Sequence, residues 1–332
     1  MAESRMSRLS NQYHAWTRSH PTAAEDFRTA IEDLLNDAGI IFDRVSTRVK
    51  AWSSLKRKAK KRGEGGDFIY PTPWDDIHDV MGVRVTLYHS TTIPNALDVL
   101  GESFKVVRSV DKAAETRISG GFGYGSHHLV LTVTDDSAAA MEELADFVGW
   151  TFEVQIRTVL QHAWAEFEHD IRYKQGPTPP SPEVDRLFTL AAGLIELADQ
   201  QFDEIAALKA PRTETDTDVE LTPETLPGVL AIILGNRFPL SRSEHYRFLA
   251  EILEENDIRS LDQLEQLLDD DAIAHVHDTM RYRFRPGQVR LIDDLLLNKF
   301  GKQHIEATAE SGDRAGRRRR LNARLKALRA NS

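Results

Sequence analysis

From Thr151 to Arg157 polar and hydrophobic residues alternate without a break. Phe152, Val154 and Ile156 fall on one side, Glu153, Gln155 and Arg157 on the other. The period of two predicts a strand with one apolar face and one face bearing a carboxylate, an amide and a guanidinium. Similar strand patterns run through Val80–Tyr88, Phe104–Val110 and His128–Val133. Between them the pattern predicts helices over Ile93–Leu100 and Ser137–Val148. A longer helical reading covers Thr22 to Lys61, with Thr22 and Glu25 as a capping box and Phe27, Ile31, Leu34 and Leu35 as its apolar stripe. After the last strand a helix starts near Val159, with Leu160, Trp164, Phe167 and Ile171 facing the core, and another is expected over Glu183–Leu208. The alternation predicts an α+β unit, a mixed β-sheet flanked by helices.

The remainder reads differently. Residues 211–219 are polar and apolar-poor, a linker pattern, and beyond them everything reads as helical. Thr222 with Pro223 resembles a helix start, and Ser241/Glu244 and Ser260/Gln263 resemble capping boxes. The expected organisation is therefore residues 1–210 as one domain with N-terminal helices, 211–219 as linker, 220–306 as an all-α C-terminal module, and 307–332 as a basic tail. The arginine run at 317–320 reads as a disordered or frayed helical tail, RNA contact being the minority reading.

Composition narrows the function classes. Among 332 residues there is no cysteine, which excludes disulfides and thiolate metal sites and fits a cytoplasmic protein. No run of 18 apolar residues is present, so no membrane span is expected, and the N-terminus lacks the apolar core of a secretory signal. A net charge of -10 argues against indiscriminate coating of nucleic acid.

An acid and an arginine two pleats apart on a half-buried sheet are costly to desolvate unless they serve a charged ligand, a metal or a structural ion pair. Other clusters share this chemistry. Lys50, Ser54 and Lys58 are spaced i, i+4, i+8, so on a helix they form one stripe suited to a polyphosphate; on spacing alone the same stripe reads as a solvated basic face. Asp79 stands at a strand entrance, where a carboxylate can hold Mg²⁺ or cap a turn. Arg84 points away from the apolar side of its strand. Tyr124 lies between Gly123 and Gly125, free to stack on a flat ligand or to anchor a turn. His162, Glu166 and His169 share a helix face but lack further ligand candidates for zinc.

Taken in order, four blocks resemble the synthetase domain of the RelA/SpoT family of (p)ppGpp-making alarmone synthetases. They are R-x-K-x3-S-x3-K at Arg48–Lys58, H-D-x-x-G-x-R at His78–Arg84, G-Y-x-S-x-H at Gly123–His128, and E-x-Q-I-R-T at Glu153–Thr158 followed by H-A-W-A-E. With 47 residues ahead of Arg48, the resemblance implies a small member without the hydrolase domain. It implies a nucleotidyltransferase-like sheet and transfer of the β,γ-pyrophosphate of ATP to the ribose 3′-hydroxyl of GMP, GDP or GTP. Arg48 and Arg84 would sandwich adenine, with Lys50, Ser54 and Lys58 on its phosphates and Asp79 and Glu153 on Mg²⁺. Glu153 would otherwise serve as general base. Tyr124 would stack on the acceptor base, and His128, Gln155, Arg157, His162 and Arg117 would line the acceptor side.

Two departures concern the acceptor. Gly125 follows the tyrosine where the family commonly has Arg or Gln, and Gly120 stands where many members carry a lysine for the acceptor's 5′-phosphates. Arg117, Lys112 or Arg108 are the candidates to replace it. The resemblance also implies a homo-oligomer. Two other readings stay open: the same fold acting on the tRNA 3′ end or making adenosine alarmones, and a non-catalytic nucleotide sensor.

Overall fold

The computed structural model describes residues 4–112, 125–174, 181–208, 220–312 and 316–330. They form two compact units. One comprises residues 1–33 and 42–206, the other residues 34–41 and 207–332.

The first unit is built on a five-stranded sheet of order β1-β2-β5-β4-β3. Its strands are β1 (Phe42–Val49), β2 (Met81–Leu87), β3 (Lys105–Asp111), β4 (His127–Thr132) and β5 (Thr151–Thr158). β2 and β5 are parallel and the other neighbours antiparallel, so the sheet is mixed as the alternation predicted. Helices α1 (Arg5–Ser19), α2 (Ala23–Asp37), α3 (Trp52–Ala59), the one-turn α4 (Pro73–Asp76) and α5 (Ile93–Ser103) intervene. α6 (Asp135–Ala140), α7 (Val159–Lys174) and α8 (Pro182–Leu208) complete the unit.

Phe152, Val154 and Ile156 are fully buried, and so is Phe27 of α2. Phe27 meets Phe152 edge-on with ring centroids 4.8 Å apart, and Phe104 meets the same ring at 5.2 Å. The apolar side of the sheet is thereby sealed, and the charged side is left to the site.

Several expectations are corrected. The stretch from Thr22 to Lys61 is not one helix, because α2 ends at Asp37 and β1 intervenes before α3. The Thr22 hydroxyl donates to Asp26 at 2.8 Å rather than pairing with Glu25, which binds Arg28 instead. The helix expected over Ser137–Val148 is the short α6 followed by a 3-10 segment. On α7, Trp164 is buried against Phe188, but Phe167 is 56% exposed and does not join the core.

The second unit is helical: α9 (Leu226–Leu234), α10 (Ser243–Glu254), α11 (Leu261–Leu267), α12 (Asp270–Met280), α13 (Gln288–Phe300), α14 (Lys302–Thr308) and α15 (Arg317–Ala330). The Ser260/Gln263 capping box forms as expected. The other two starts shift. α9 begins at Leu226, past Thr222, and Ser241 spends its hydroxyl on the Val289 amide at 3.3 Å instead of capping α10. Gly39, at φ +70°, turns the chain after α2 so closely against Gly287 that a β-carbon there would stand 3.2 Å from the Gly287 Cα.

The expected basic tail is a packed helix. Leu321, Leu325 and Leu328 of α15 are buried with Leu297 and Ile305. Arg317 is 8% exposed and grips Asp293 at 2.7 Å. Asp293 also takes Arg324 at 2.7 Å and His304 at 3.1 Å, while Asp294 takes Arg290 at 2.7 Å and Arg324. Arg290 in turn binds Asp37. Burial of this many charges is tolerable only because each acid meets more than one cation. Among the described residues no helix is long and apolar enough to cross a membrane.

Candidate functional site

Sheet register assembles the polar face. Arg48 of β1 lies opposite Gly82 of β2, which lies opposite Glu153 of β5. One pleat on, Arg84 lies opposite Gln155, which faces His128 of β4. Directly opposed residues share a face, so Arg48, Arg84, Glu153, Gln155 and His128 project to one side, with Arg157 one pleat further.

At one end of this face are the acids. Asp79 sits in a 3-10 turn immediately before β2. Its carboxylate is held by Lys50 Nζ at 2.9 Å and Lys58 Nζ at 3.0 Å. Lys50 precedes α3 rather than lying on it, so the expected helical stripe is wrong; the strand-to-helix turn brings the two ammoniums together instead. Ser54 is on α3 itself, half-buried. The Lys58–Asp79 approach is an ion pair by distance, but Asp79 Oδ1 accepts no hydrogen bond of good geometry.

Glu153 accepts from Gln155 Nε2 at 2.8 Å and faces His128 Nδ1 at 3.4 Å. Burial alone would raise its carboxyl. The hydrogen bonds from His128 and Gln155, then the charges of His128 and Lys58, outweigh burial and hold it down to about 2. Lys58 thus pairs with Asp79 and contributes, least of the four favourable influences, to lowering Glu153; the turn bearing Asp79 packs against β5. The other ring nitrogen of His128 lies 2.9 Å from the Ser126 hydroxyl. Ser126 was legible only as part of the G-Y-x-S-x-H block, with no role of its own.

At the other end are the arginines. Arg157 is 4% exposed, and its guanidinium is pulled down to about 10 by burial and by neighbouring Arg84, with Glu166 opposing. Glu166 of α7 receives Arg84 Nη1 at 2.9 Å and Arg157 Nη2 at 3.3 Å on one oxygen, with His162 Nδ1 at 3.8 Å. Burial, then Arg157 and Arg84, lower the His162 pKa. His162 therefore joins the arginines rather than His128. The sequence reading weighed Glu166 only as a zinc candidate; its partner Arg84 is 82 positions away, and nothing local signals such a pair. Among the described residues no cluster of three or more His, Cys, Asp or Glu forms a metal site. Tyr124 and Arg117 lie outside the described residues, as does the His169 side chain.

Residues 47–178 match the family profile described as "Region found in RelA / SpoT proteins". This stretch carries a RelA/SpoT region. It contains both ends of the polar face just described. The chain is similar to GTP pyrophosphokinase YwaC of Bacillus subtilis (strain 168), 27% identical over 147 residues, covering 44% of this chain and 65% of the relative. It is also similar to GTP pyrophosphokinase YjbM of the same organism, 27% identical over 163 residues, covering 48% of this chain and 70% of the relative. The alignment thus spans somewhat under two thirds of YwaC. Among solved structures, the small alarmone synthetase 1 from Bacillus subtilis bound to its product pppGpp is similar at 23% identity, with a TM-score of 0.47 and coverage of 60% of this chain and all of that one.

Proposed function

We propose that this chain is a nucleotide pyrophosphokinase, a (p)ppGpp synthetase that moves the β,γ-pyrophosphate of ATP to the 3′-hydroxyl of a guanine nucleotide. The acceptor's 3′-oxygen bonds to the β-phosphorus, the bond from that phosphorus to the α,β-bridging oxygen breaks, and AMP leaves. The observation that carries this reading is the pairing of Asp79 with the ammoniums of Lys50 and Lys58, just ahead of the strand that lies beside Glu153. A triphosphate needs ammoniums along its length and acids placed for a hard cation, and this end of the cleft offers both.

In this reading Lys50, Ser54 and Lys58 take the donor phosphates, and Arg48 and Arg84 take its adenine. Tyr124 stacks on the acceptor base, with Gln155, Arg157, His162 and Arg117 on the acceptor side. The donor set fits Mg²⁺, since the two carboxylates are hard oxygen ligands and Asp79 Oδ1 has a lone pair without a hydrogen bond. Asp79 and Glu153 would hold magnesium, which would offset phosphate charge. A Glu153 carboxyl at about 2 is a weak proton acceptor near neutrality, which favours its metal-holding role over that of general base. His128, hydrogen-bonded to it, is then the group placed to receive the acceptor proton.

The acceptor preference is relaxed in our reading, because Gly120 brings no cation for the 5′-phosphates. The chain works as a homo-oligomer; supporting this, Leu187, Leu190, Leu194 and Leu197 of α8 are 54–62% exposed at heptad spacing. The test is to incubate the protein with labelled ATP and, separately, GDP, unlabelled ATP or tRNA. A 3′-diphosphorylated guanine nucleotide and equimolar AMP are expected. Label appearing on tRNA or adenosine nucleotide would replace the acceptor, and no transfer at all would remove the enzymatic reading.

A further inference from the structure

Arg84 is held in an unusual way for an anion-binding arginine. A guanidinium grips phosphate through an edge that offers two parallel N–H donors. Here both edges are compromised. Nη1 is taken by Glu166 at 2.9 Å, and Nε is buried with no hydrogen-bond partner. What Arg84 still offers is Nη2 and its flat face, with the side chain 28% exposed. A pinned planar cation without two adjacent free donors is better suited to stacking on an aromatic ring than to gripping phosphate as a fork.

Glu166 is half-exposed, but Arg84 is not its only anchor. The same oxygen is tethered by Arg157, which is almost wholly buried on β5, and His162 stands next to it on α7. Two guanidiniums share one carboxylate, and their combined charge holds the Glu166 pKa below its ordinary value against burial, which acts to raise it.

We propose that Glu166 is a positioning residue that fixes Arg84 as a stacking plate for the donor's purine and denies it the role of a phosphate fork. This rests on the reading of the cleft as an ATP site. It goes beyond that reading by naming the residue that makes the site recognise a base as well as a chain of phosphates.

The experiment compares two probes by calorimetry in the presence of Mg²⁺: a non-hydrolysable ATP analogue and inorganic tripolyphosphate. Wild-type protein should bind the analogue more tightly than tripolyphosphate, the ratio measuring the base contribution. Glu166→Ala removes a negative charge, so tripolyphosphate should bind at least as well as before, while the analogue's advantage shrinks about tenfold. Glu166→Gln keeps a hydrogen-bond acceptor and should retain most of the advantage. A residue that merely supported the fold would weaken both probes alike. An unchanged advantage in Glu166→Ala, or parallel loss of both probes, overturns the proposal. If wild-type protein binds both probes equally, no base plate exists, and this inference falls with the assignment of Arg84 to adenine while the phosphate site stands. If it binds neither, the ATP-site reading falls with it.

Discussion

Lys58 Nζ stands 3.0 Å from Asp79 Oδ1, and the charge of the same ammonium helps keep Glu153 ionised. Lys58 therefore pairs with one acid, in the turn before β2, and adds a smaller electrostatic contribution to the other, on β5, whose ionisation rests first on His128 and Gln155. Asp79→Asn keeps the volume and removes the charge. Its turnover should fall at least about a hundredfold, the scale of losing one group that stabilises developing charge. Far-UV circular dichroism should stay that of the wild type. Turnover within a few-fold of wild type would take Asp79 out of the mechanism.

Glu153 links the site to acid stability. Its carboxyl is held at about 2 in the folded protein against an ordinary 4.5. A lowered folded pKa contributes stability that is present above 4.5 and lost as pH falls toward 2. The gap of about 2.5 units is worth roughly 3 kcal/mol. Urea unfolding of wild type and Glu153→Gln at pH 5, 4 and 3 should show the wild-type advantage shrinking as pH falls. An advantage independent of pH over that range would mean Glu153 is not held ionised by its neighbours.

Arg5 supports the loop behind Lys58 from the N-terminal helix. Its guanidinium donates to the carbonyls of Ala59 at 2.8 Å, Pro71 at 3.0 Å and Tyr70, closing the loop that follows α3. Phe68 is sandwiched between Arg5 and Arg62, 4.0 and 4.1 Å from the ring centroid. Ala59 adjoins Lys58, so loosening this loop frees the ammonium that reaches Asp79. Arg5→Ala should cost about 1–3 kcal/mol and speed amide exchange across residues 59–71. Unchanged exchange there would make the contacts superficial.

The strands that carry the polar face were legible because their apolar face is sealed. Phe152, Val154 and Ile156 had to alternate with polar neighbours, and they do. β1 escaped notice for a local reason: its register shifts between Phe42 and Arg44, which breaks the period of two, and it is an edge strand with much of its length exposed. Lys50 and Lys58 do come together, but not as the expected helical stripe: a strand-to-helix turn brings the two residues to one carboxylate. Glu166 had no such chance. Its partners are set by how α7 lies on the sheet, which residue spacing does not encode.

The arginine-rich end shows composition masking pattern. Leu321, Leu325 and Leu328 recur at i, i+4, i+7 within a run dominated by arginine, and all three are buried. Arg317 is buried with them, its guanidinium on Asp293 at 2.7 Å and on the Thr308 carbonyl at 2.9 Å. Removing that cation leaves Asp293 with Arg324 and His304 in a site closed to water. Arg317→Met should therefore cost about 1.5–3 kcal/mol in chemical denaturation, the range for losing hydrogen bonds to a charged group that keeps other partners. Arg318, the adjacent residue and exposed, is the control, and Arg318→Met should stay within about 0.5 kcal/mol of wild type. If the two variants unfold alike, α15 is an appendage after all; if they separate as expected, residues 317–330 are part of the helical unit's core, and a truncation that removes them should unfold that unit.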